Sequence, residues 1–155
     1  MNTITVTTDI DAPAEVVYEV LTDFDAYPAW NDYSRIEGVA AEGERLAVSP
    51  GPAAGSAPTF RPRVLRADGA ELRWLGHLWV RGLFDGDHRF RVEAVADDRS
   101  RLVQDERFRG LLAGLLFRRY GDDWRANFAA VNEALRTRAE TLAAADSPAE
   151  HDAAA

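Results

Sequence analysis

The sequence predicts an α+β fold in which an antiparallel sheet of about seven strands is covered on one face by a long C-terminal helix. Two observations indicate this. Over residues 34–110, apolar and polar side chains alternate with a period of two, and turn residues interrupt the pattern. Over residues 120–142, the apolar side chains instead recur every three or four positions. Successive strands beside one amphipathic helix favour a sheet with one wet face.

The N-terminal elements are one strand and two short helices. Ile4 and Val6 alternate with threonines, which predicts a strand. Asp11 is suited to cap the helix that follows, and Pro13 fits its first turn. A second helical turn is predicted over residues 23–27, ending before Pro28.

Six further strands follow, bounded by glycine, proline and aspartate. They are predicted at residues 35–41, 45–48, 59–67, 71–81, 87–96 and 101–110, with a proline-rich loop at 49–58. The closing helix carries its apolar stripe over residues 120–142. We therefore predict a single ligand-binding domain at 1–142 and a flexible tail at 143–155.

The last two strands show which side chains face the helix. Their odd-numbered residues are mostly charged, so the even-numbered residues are predicted to point inward. This places His88, Gln104 and Glu106 among apolar neighbours, where each needs a partner.

The hairpin loop between these strands sets their register. A three-residue loop at 98–100 would place Val92 opposite Glu106 and His88 opposite Gly110. A five-residue loop would make His88 and Glu106 only diagonal neighbours. The sequence therefore predicts no preformed His88–Glu106 pair.

Bulk composition excludes several functions. The formal net charge is −8, which argues against nucleic acid and anionic membranes as partners. The chain has no cysteine, so it has neither disulfides nor thiolate metal sites. No signal peptide or spanning segment is evident, and we expect a cytoplasmic protein without membrane insertion.

Several short motifs together resemble a known superfamily. They are DAPAEVV at 11–17, Asp23-Phe24, YPAWN at 27–31, LFDGDHRF at 83–90 and ERFRG at 106–110. In their order and spacing the chain resembles the START-like, or SRPBCC, superfamily, which includes polyketide cyclase/dehydrase-like and lipid-transfer proteins. The resemblance implies a helix-grip fold, in which a curved sheet wraps around the C-terminal helix and encloses a cavity. It implies no single reaction.

The candidate ligand-binding residues are the aromatic and inward-facing side chains along this cavity. They are Trp30, Tyr33, Trp74, Leu78, Phe90, Gln104, Phe108, Tyr120, Trp124 and Phe128. Each of the aromatic residues could equally be ordinary core packing. As a group they favour a polyketide, sterol, fatty acyl or other ring-bearing ligand over a sugar or nucleotide.

Three functions remain open at this stage. The first is binding of a hydrophobic small molecule, by a monomer or homodimer. The second is a cyclase/dehydratase-like enzyme in which Glu106 or His88 is the catalytic proton shuttle. The third is a protein-interaction module with a filled core and an exposed patch at Leu75, Trp79 and Leu83. No metal site or cofactor is predicted, since the three histidines lack ligand spacing.

Overall fold

The computed structural model describes residues 2–146, which form seven strands and two α-helices. In chain order the elements are β1 (Thr3–Ile10), α1 (Ala14–Thr22), a 3₁₀ helix (Phe24–Ala29), β2 (Ser34–Glu37), β3 (Ala47–Pro50), β4 (Arg63–Ala67), β5 (Glu71–Leu78), β6 (Phe84–Ala96), β7 (Arg99–Arg109) and α2 (Ala113–Ala145).

The seven strands form two antiparallel sheets, which are joined by backbone hydrogen bonds between β3 and the segment before β4. Five strands are ordered β1-β7-β6-β5-β4, and β2 pairs with β3. Where the chain enters β4, Val48 and Phe60 exchange backbone hydrogen bonds of 2.9 and 3.0 Å, and the Leu46 N–H donates to Pro62 O at 2.9 Å. Pro62 has no N–H to return that bond, which interrupts the ladder at this point. The predicted α+β architecture, a seven-stranded antiparallel arrangement with a long C-terminal helix, is confirmed.

Several strands end earlier than predicted because the backbone leaves the extended region. β2 ends at Glu37, before Gly38 with φ +126°. β5 ends at Leu78, because Trp79 adopts φ +66°. Val80, which falls within the strand predicted at 71–81, is therefore outside the sheet and 62% exposed.

The helix ends also differ from the sequence prediction. Asp11 does not cap α1: the capping position is Pro13, whose carbonyl accepts bonds from the N–H groups of Val16 and Val17. α2 begins at Ala113, before the apolar stripe, and runs to Ala145. Residues 143–145 of the predicted tail are thus helical, and residues 147–155 lie outside the described part of the chain.

The β6–β7 hairpin turns earlier than predicted, and this changes which side chains are opposite each other. Ala96 pairs with Arg99, so the turn contains only two residues. A β-bulge between Ala94 and Ala96 then restores the parity of the two strands. As a result His88 pairs with Glu106, not with Gly110 as predicted.

The inward face of the sheet is the even-numbered one, as predicted. His88, Phe90 and Val92 on β6 are buried, and so are the even-numbered residues of β7 from Leu102 to Phe108. Among the odd-numbered residues of β7, Val103 is the buried exception.

The outward face of the sheet carries charge pairs between neighbouring strands. The Arg73 guanidinium donates to both Asp87 carboxylate oxygens at 2.8 and 2.6 Å. Arg89 donates to Asp105 at 3.0 Å. Because such charges prefer water, the wet and dry faces of the sheet are clearly separated.

The long helix packs across the dry face through its apolar stripe. Leu135 and Ala139 are fully buried. On the same helix, buried Asn132 donates to the carbonyl of Val6 at 3.3 Å and to the Thr8 hydroxyl at 3.1 Å, both on β1. This polar anchor fixes the position of α2 along β1.

Within residues 2–146, neither helix is both long and apolar enough to cross a bilayer.

The connection from β7 to α2 depends on a glycine. Gly110 has φ +115°, and a Cβ there would lie 2.6 Å from Leu83 O.

We expect Gly110→Ala to destabilise the protein by about 2–4 kcal/mol, because the strain of a positive φ and the overlap of the new Cβ with the Leu83 carbonyl add. The matched control is Gly69→Ala, because Gly69 has φ +92° but open space around its Cα. This control should cost only about 1–2 kcal/mol. Urea unfolding measures both, and equal losses would contradict the proposed overlap.

Candidate functional site

A cavity of about 370 Å³ lies between the sheet and α2. Its walls come from β5, β6 and β7 on one side and from α2 on the other. One end is formed by the segment from Trp30 to Ile36 and by the loop after β3. The lining residues are Leu21, Tyr27, Trp30, Asn31, Tyr33, Ser34, Ile36, Val48, Ser49, Pro50, Ala54, Ala57, Pro58, Phe60, Trp74, Gly76, His77, Leu78, Phe84, Gly86, His88, Phe90, Gln104, Glu106, Phe108, Trp124, Asn127, Phe128, Val131 and Leu135.

Apolar and aromatic side chains dominate this lining. Among the residues that the structure describes, none of the lining side chains is a lysine, arginine or aspartate. The ionisable groups that most change the chemistry of the cavity are His88 and Glu106, which are 7% and 9% exposed.

Trp74, His88 and Glu106 form a row across three neighbouring strands. Trp74 pairs with His88 between β5 and β6, and His88 pairs with Glu106 between β6 and β7. The His88 Nδ1 and Glu106 Oε2 atoms are 3.3 Å apart. The sequence prediction that these two side chains are separated is therefore wrong, because the early turn and the bulge shift the register.

Gln104 hydrogen-bonds to the other nitrogen of the imidazole. Its amide Nε2 lies 3.0 Å from His88 Nε2. An amide nitrogen only donates, so His88 Nε2 accepts, and the neutral imidazole carries its proton on Nδ1. The Nδ1 proton therefore lies on the side of the ring that contacts Glu106, where Nδ1 and Oε2 are 3.3 Å apart.

Burial keeps both members of the pair uncharged near neutral pH. Desolvation raises the pKa of the Glu106 carboxyl to about 8, and the nearby charge of Asp87 adds to this rise. Desolvation lowers the pKa of the His88 imidazole to about 3, against a smaller opposing effect of Asp87. The contact between Nδ1 and Oε2 is therefore one between neutral groups and not a salt bridge.

A glycine makes room for the carboxyl group. A Cβ at Gly86 would lie 2.5 Å from Glu106 Oε1. A side chain at position 86 would therefore have to displace the carboxyl from its present place.

The aromatic side chains of the cavity form two contacting groups. In the first, the His88 ring stacks on Phe90 and on Phe128, with centroids 4.6 and 5.0 Å apart, and it lies 5.0 Å from the Trp74 ring. In the second, the rings of Phe84, Phe108 and Trp124 all contact one another, with centroids 4.8 to 5.8 Å apart.

The predicted ligand-binding residues lie on the cavity wall, with one exception. Trp30, Tyr33, Trp74, Leu78, Phe90, Gln104, Phe108, Trp124 and Phe128 all line it. Tyr120 does not: it is 40% exposed, and its ring stacks on Trp124 at 6.0 Å. It begins the apolar stripe of the helix, one turn beyond the end of the cavity.

Sequence reasoning missed the contribution of the loop after β3. Ala54, Ala57 and Pro58 line the cavity from the predicted loop. Phe60 also lines it, and lies outside a regular strand because the strand predicted at 59–67 begins only at Arg63. The available signal was the proline content, which predicts a loop but not its position.

Sequence reasoning also missed Asn31. Its side chain is fully buried, and its Oδ1 accepts bonds from the backbone N–H groups of Tyr33 and Ser34 at 2.8 and 3.1 Å. This asparagine holds Tyr33 in place at the end of the cavity.

Metal coordination has no support in the described part of the chain, where no three histidine, aspartate or glutamate side chains converge.

Comparison with known proteins relates this architecture to a protein family. Residues 1–143 match the family described as polyketide cyclase/dehydrase and lipid transport. Among the curated proteins, no sequence matches the chain.

Three solved structures illustrate the similarity in fold. An aromatase/cyclase from Streptomyces has a TM-score of 0.70 at 21% identity, covering 89% of this chain and 93% of that one. A START superfamily protein from Mycobacterium smegmatis has a TM-score of 0.65 at 21% identity, covering 90% and 98%. A di-domain ARO/CYC protein of the BE-7585A biosynthetic pathway has a TM-score of 0.68 at 17% identity. This chain covers 46% of that protein, about half its length, and 87% of its own residues are matched.

The neutral state of Glu106 predicts a pH dependence of stability. Because its pKa is higher in the folded protein, stability should fall as pH rises from about 4.5 to about 8. The limiting slope is about 1.4 kcal/mol per pH unit. His88 acts in the opposite direction, since its lowered pKa removes stability as pH falls from 6.5 to about 3.

Comparing the wild type with Glu106→Gln isolates the carboxyl contribution. The difference in unfolding free energy between the two proteins should shift in favour of the variant as pH rises through this window. Urea unfolding at a series of pH values measures the difference. A difference that stays constant with pH would show that Glu106 is not held neutral.

Proposed function

Because the chain belongs to the polyketide cyclase/dehydrase and lipid transport family, we propose that it binds an apolar, ring-bearing small molecule between the sheet and α2. The observation that carries this proposal is the cavity, which side chains leave open although its walls are mostly apolar. Its volume of about 370 Å³ falls within the range usual for small-molecule sites.

The aromatic walls support a ligand with flat apolar faces. Phe90, Phe128 and Trp74 surround the His88 ring, and Phe108 and Trp124 form the neighbouring wall. Flat side chains of this kind offer stacking contacts at low cost in conformational entropy. In this proposal Trp30, Tyr33 and Leu78 contact the ligand at the ends of the cavity.

A second candidate function is proton transfer during cyclisation, and the buried contact between His88 and Glu106 in the cavity wall favours it. A carboxyl with a raised pKa is a stronger base, once ionised, than an ordinary carboxylate. Glu106 Oε1 would take a proton from a carbon beside a ketone. The resulting enolate would attack a second carbonyl of the same ligand, and the carboxyl would return the proton to the new alkoxide. The hydroxyketone formed would then lose water to give the conjugated enone. No oxidant or cofactor is needed.

The interaction-module alternative is only half supported. Leu75 and Trp79 are exposed, as it requires, but Leu83 is half-buried. The filled core that it also requires is not present, because the cavity occupies that position.

Filling the cavity should abolish binding. Val131 lines the cavity from α2, so Val131→Trp should weaken binding of the neutral fluorophore N-phenylnaphthylamine about tenfold or more. Ala126→Trp places the same side chain on the exposed face of the same helix and should bind the fluorophore like the wild type. Fluorescence titration measures both. If the wild type does not bind the fluorophore, or both variants bind it equally, the binding proposal fails.

The proton-transfer candidate predicts a loss of rate in Glu106→Gln. A linear diketone that closes to a cyclohexenone serves as the substrate, and its product is followed by ultraviolet absorbance. The variant should be slower than the wild type by about 10²–10⁴-fold. Glu93→Gln, on an exposed position of β6, is the matched control and should keep the rate. Equal rates for the wild type and Glu106→Gln would rule out this function.

A further inference from the structure

Two adjoining segments expose large apolar side chains at one end of the sheet. In the turn between β5 and β6, Trp79 is 64% exposed and Val80 is 62% exposed. Where β7 leads into α2, Leu111 is 84% exposed and Leu115 is 62% exposed. A backbone hydrogen bond of 3.0 Å from the Leu111 N–H to Gly82 O joins the two segments. We refer to these four exposed side chains as the apolar patch.

The backbone of Trp79 is strained although its side chain is in solvent. Its φ of +66° lies in the left-handed region, which bulky residues rarely adopt. Strained backbone of this kind is found mainly where function requires it. An indole ring is also the side chain best suited to the boundary between an apolar and an aqueous phase. The exposed indole therefore marks the apolar patch as a contact surface.

Arginine side chains flank the apolar patch. Arg81 lies in the same turn as Trp79. Arg118 and Arg119 follow Leu115 by three and four positions on α2, so they share its side of the helix. All three arginines are exposed, and within the described part of the chain none of them forms an ion pair.

The charge of this region is opposite to that of the whole molecule. Residues 79–85 and 109–120 contain four arginines and one aspartate, whereas the chain has a net charge of −8. Asp122 and Asp123 follow this stretch and mark its boundary. The net charge argues against anionic surfaces as partners of the molecule as a whole. Because charges act over a Debye length of roughly 10 Å, the local arginines determine what this end of the molecule attracts.

A bilayer that contains anionic phospholipid fits both features of the region. Tryptophan and leucine side chains enter the boundary between headgroups and acyl chains, while arginines pair with the phosphates. A two-fold contact with a second copy fits less well, because it would bring Arg81, Arg118 and Arg119 against the same three arginines. A small soluble anion would pair with the arginines but would leave the apolar patch in water.

We propose that the apolar patch and its flanking arginines dock the protein on the surface of a bilayer containing anionic phospholipid, with the Trp79 indole between the headgroups. Leu78 and Phe84, which line the cavity, flank the turn that carries Trp79. Docking therefore places this part of the cavity wall next to the lipid. The inference concerns the surface of the molecule, so it is tested independently of N-phenylnaphthylamine binding.

Vesicle co-sedimentation of the full chain tests the proposal. One set of vesicles contains phosphatidylcholine alone, and the other contains equal parts of phosphatidylcholine and phosphatidylglycerol. The protein should bind the anionic vesicles about tenfold or more tightly than the neutral vesicles. Because salt screens the attraction between arginine and phosphate, binding should weaken as the ionic strength rises.

Two double variants test the role of the arginines. Arg118→Gln combined with Arg119→Gln should weaken binding to anionic vesicles about tenfold or more, because each arginine near an anionic surface contributes about fivefold. Arg66→Gln combined with Arg99→Gln changes the net charge equally at the opposite end of the sheet, where both side chains are exposed. This control should bind like the wild type. Equal losses in the two double variants would overturn the proposed surface.

A single substitution tests the indole. Trp79→Asn removes the ring and places there a residue that tolerates a positive φ, and it should weaken binding about fivefold or more. The control is Val39→Asn, because Val39 is 65% exposed in the connection between β2 and β3. Anionic vesicles with brominated acyl chains should quench the emission of the wild type and leave that of Trp79→Asn nearly unchanged. Equal quenching of both proteins would contradict insertion of Trp79.

The remaining outcomes also decide the matter. A wild type that stays in the supernatant with anionic vesicles overturns the proposal, and so does equal binding to neutral and anionic vesicles. Sedimentation velocity without vesicles tests the second copy as the occupant. Self-association that Trp79→Asn abolishes would assign the apolar patch to a dimer contact and overturn docking on lipid.

Discussion

The register between β6 and β7 is the constraint on which the rest of the site depends. A two-residue turn would by itself send the even-numbered residues of the two strands to opposite faces. The bulge between Ala94 and Ala96 corrects this by one residue, so that both even sets face α2. The same correction brings His88 opposite Glu106 and Phe90 opposite Gln104. The bulge near the hairpin turn therefore determines which polar side chains are adjacent in the cavity, although it lies far from them.

Desolvation then determines the chemical character of the cavity. The Glu106 carboxyl is buried without a cation among the lining residues, and the imidazole beside it is equally enclosed. Holding either charge there would be costly, so both groups stay neutral where they contact each other. The result is a cavity wall with donors and acceptors but no fixed charge. Such a wall distinguishes neutral from ionic ligands by the cost of burying charge.

Much of the fold could be predicted because it depends on how often apolar residues recur along the chain and on whether they occupy odd or even positions in a strand. Charged residues at odd positions such as Arg107 and Arg109 identify the wet face without knowledge of the pairing. The stripe on α2 likewise identifies the surface that meets the sheet.

The details of the site depend on interactions that a sequence pattern does not contain. A bulge at Val95 leaves no periodic signal, and a shift of the turn moves His88 relative to Glu106. The wall formed by Ala57 and Phe60 comes from an irregular segment whose position depends on its contacts with β3. Tyr120 continues the helical stripe but lies beyond the end of the cavity, because the stripe is longer than the enclosed space.

The distribution of the four tryptophans gives the molecule a built-in optical signal. Trp30, Trp74 and Trp124 border the enclosed space, whereas Trp79 is 64% exposed. A collisional quencher dissolved in the solvent reaches Trp79 freely, while a ligand bound in the cavity alters the emission of the other three tryptophans. Intrinsic fluorescence should therefore separate into an accessible and a shielded population. Occupancy can thus be followed without attaching any label.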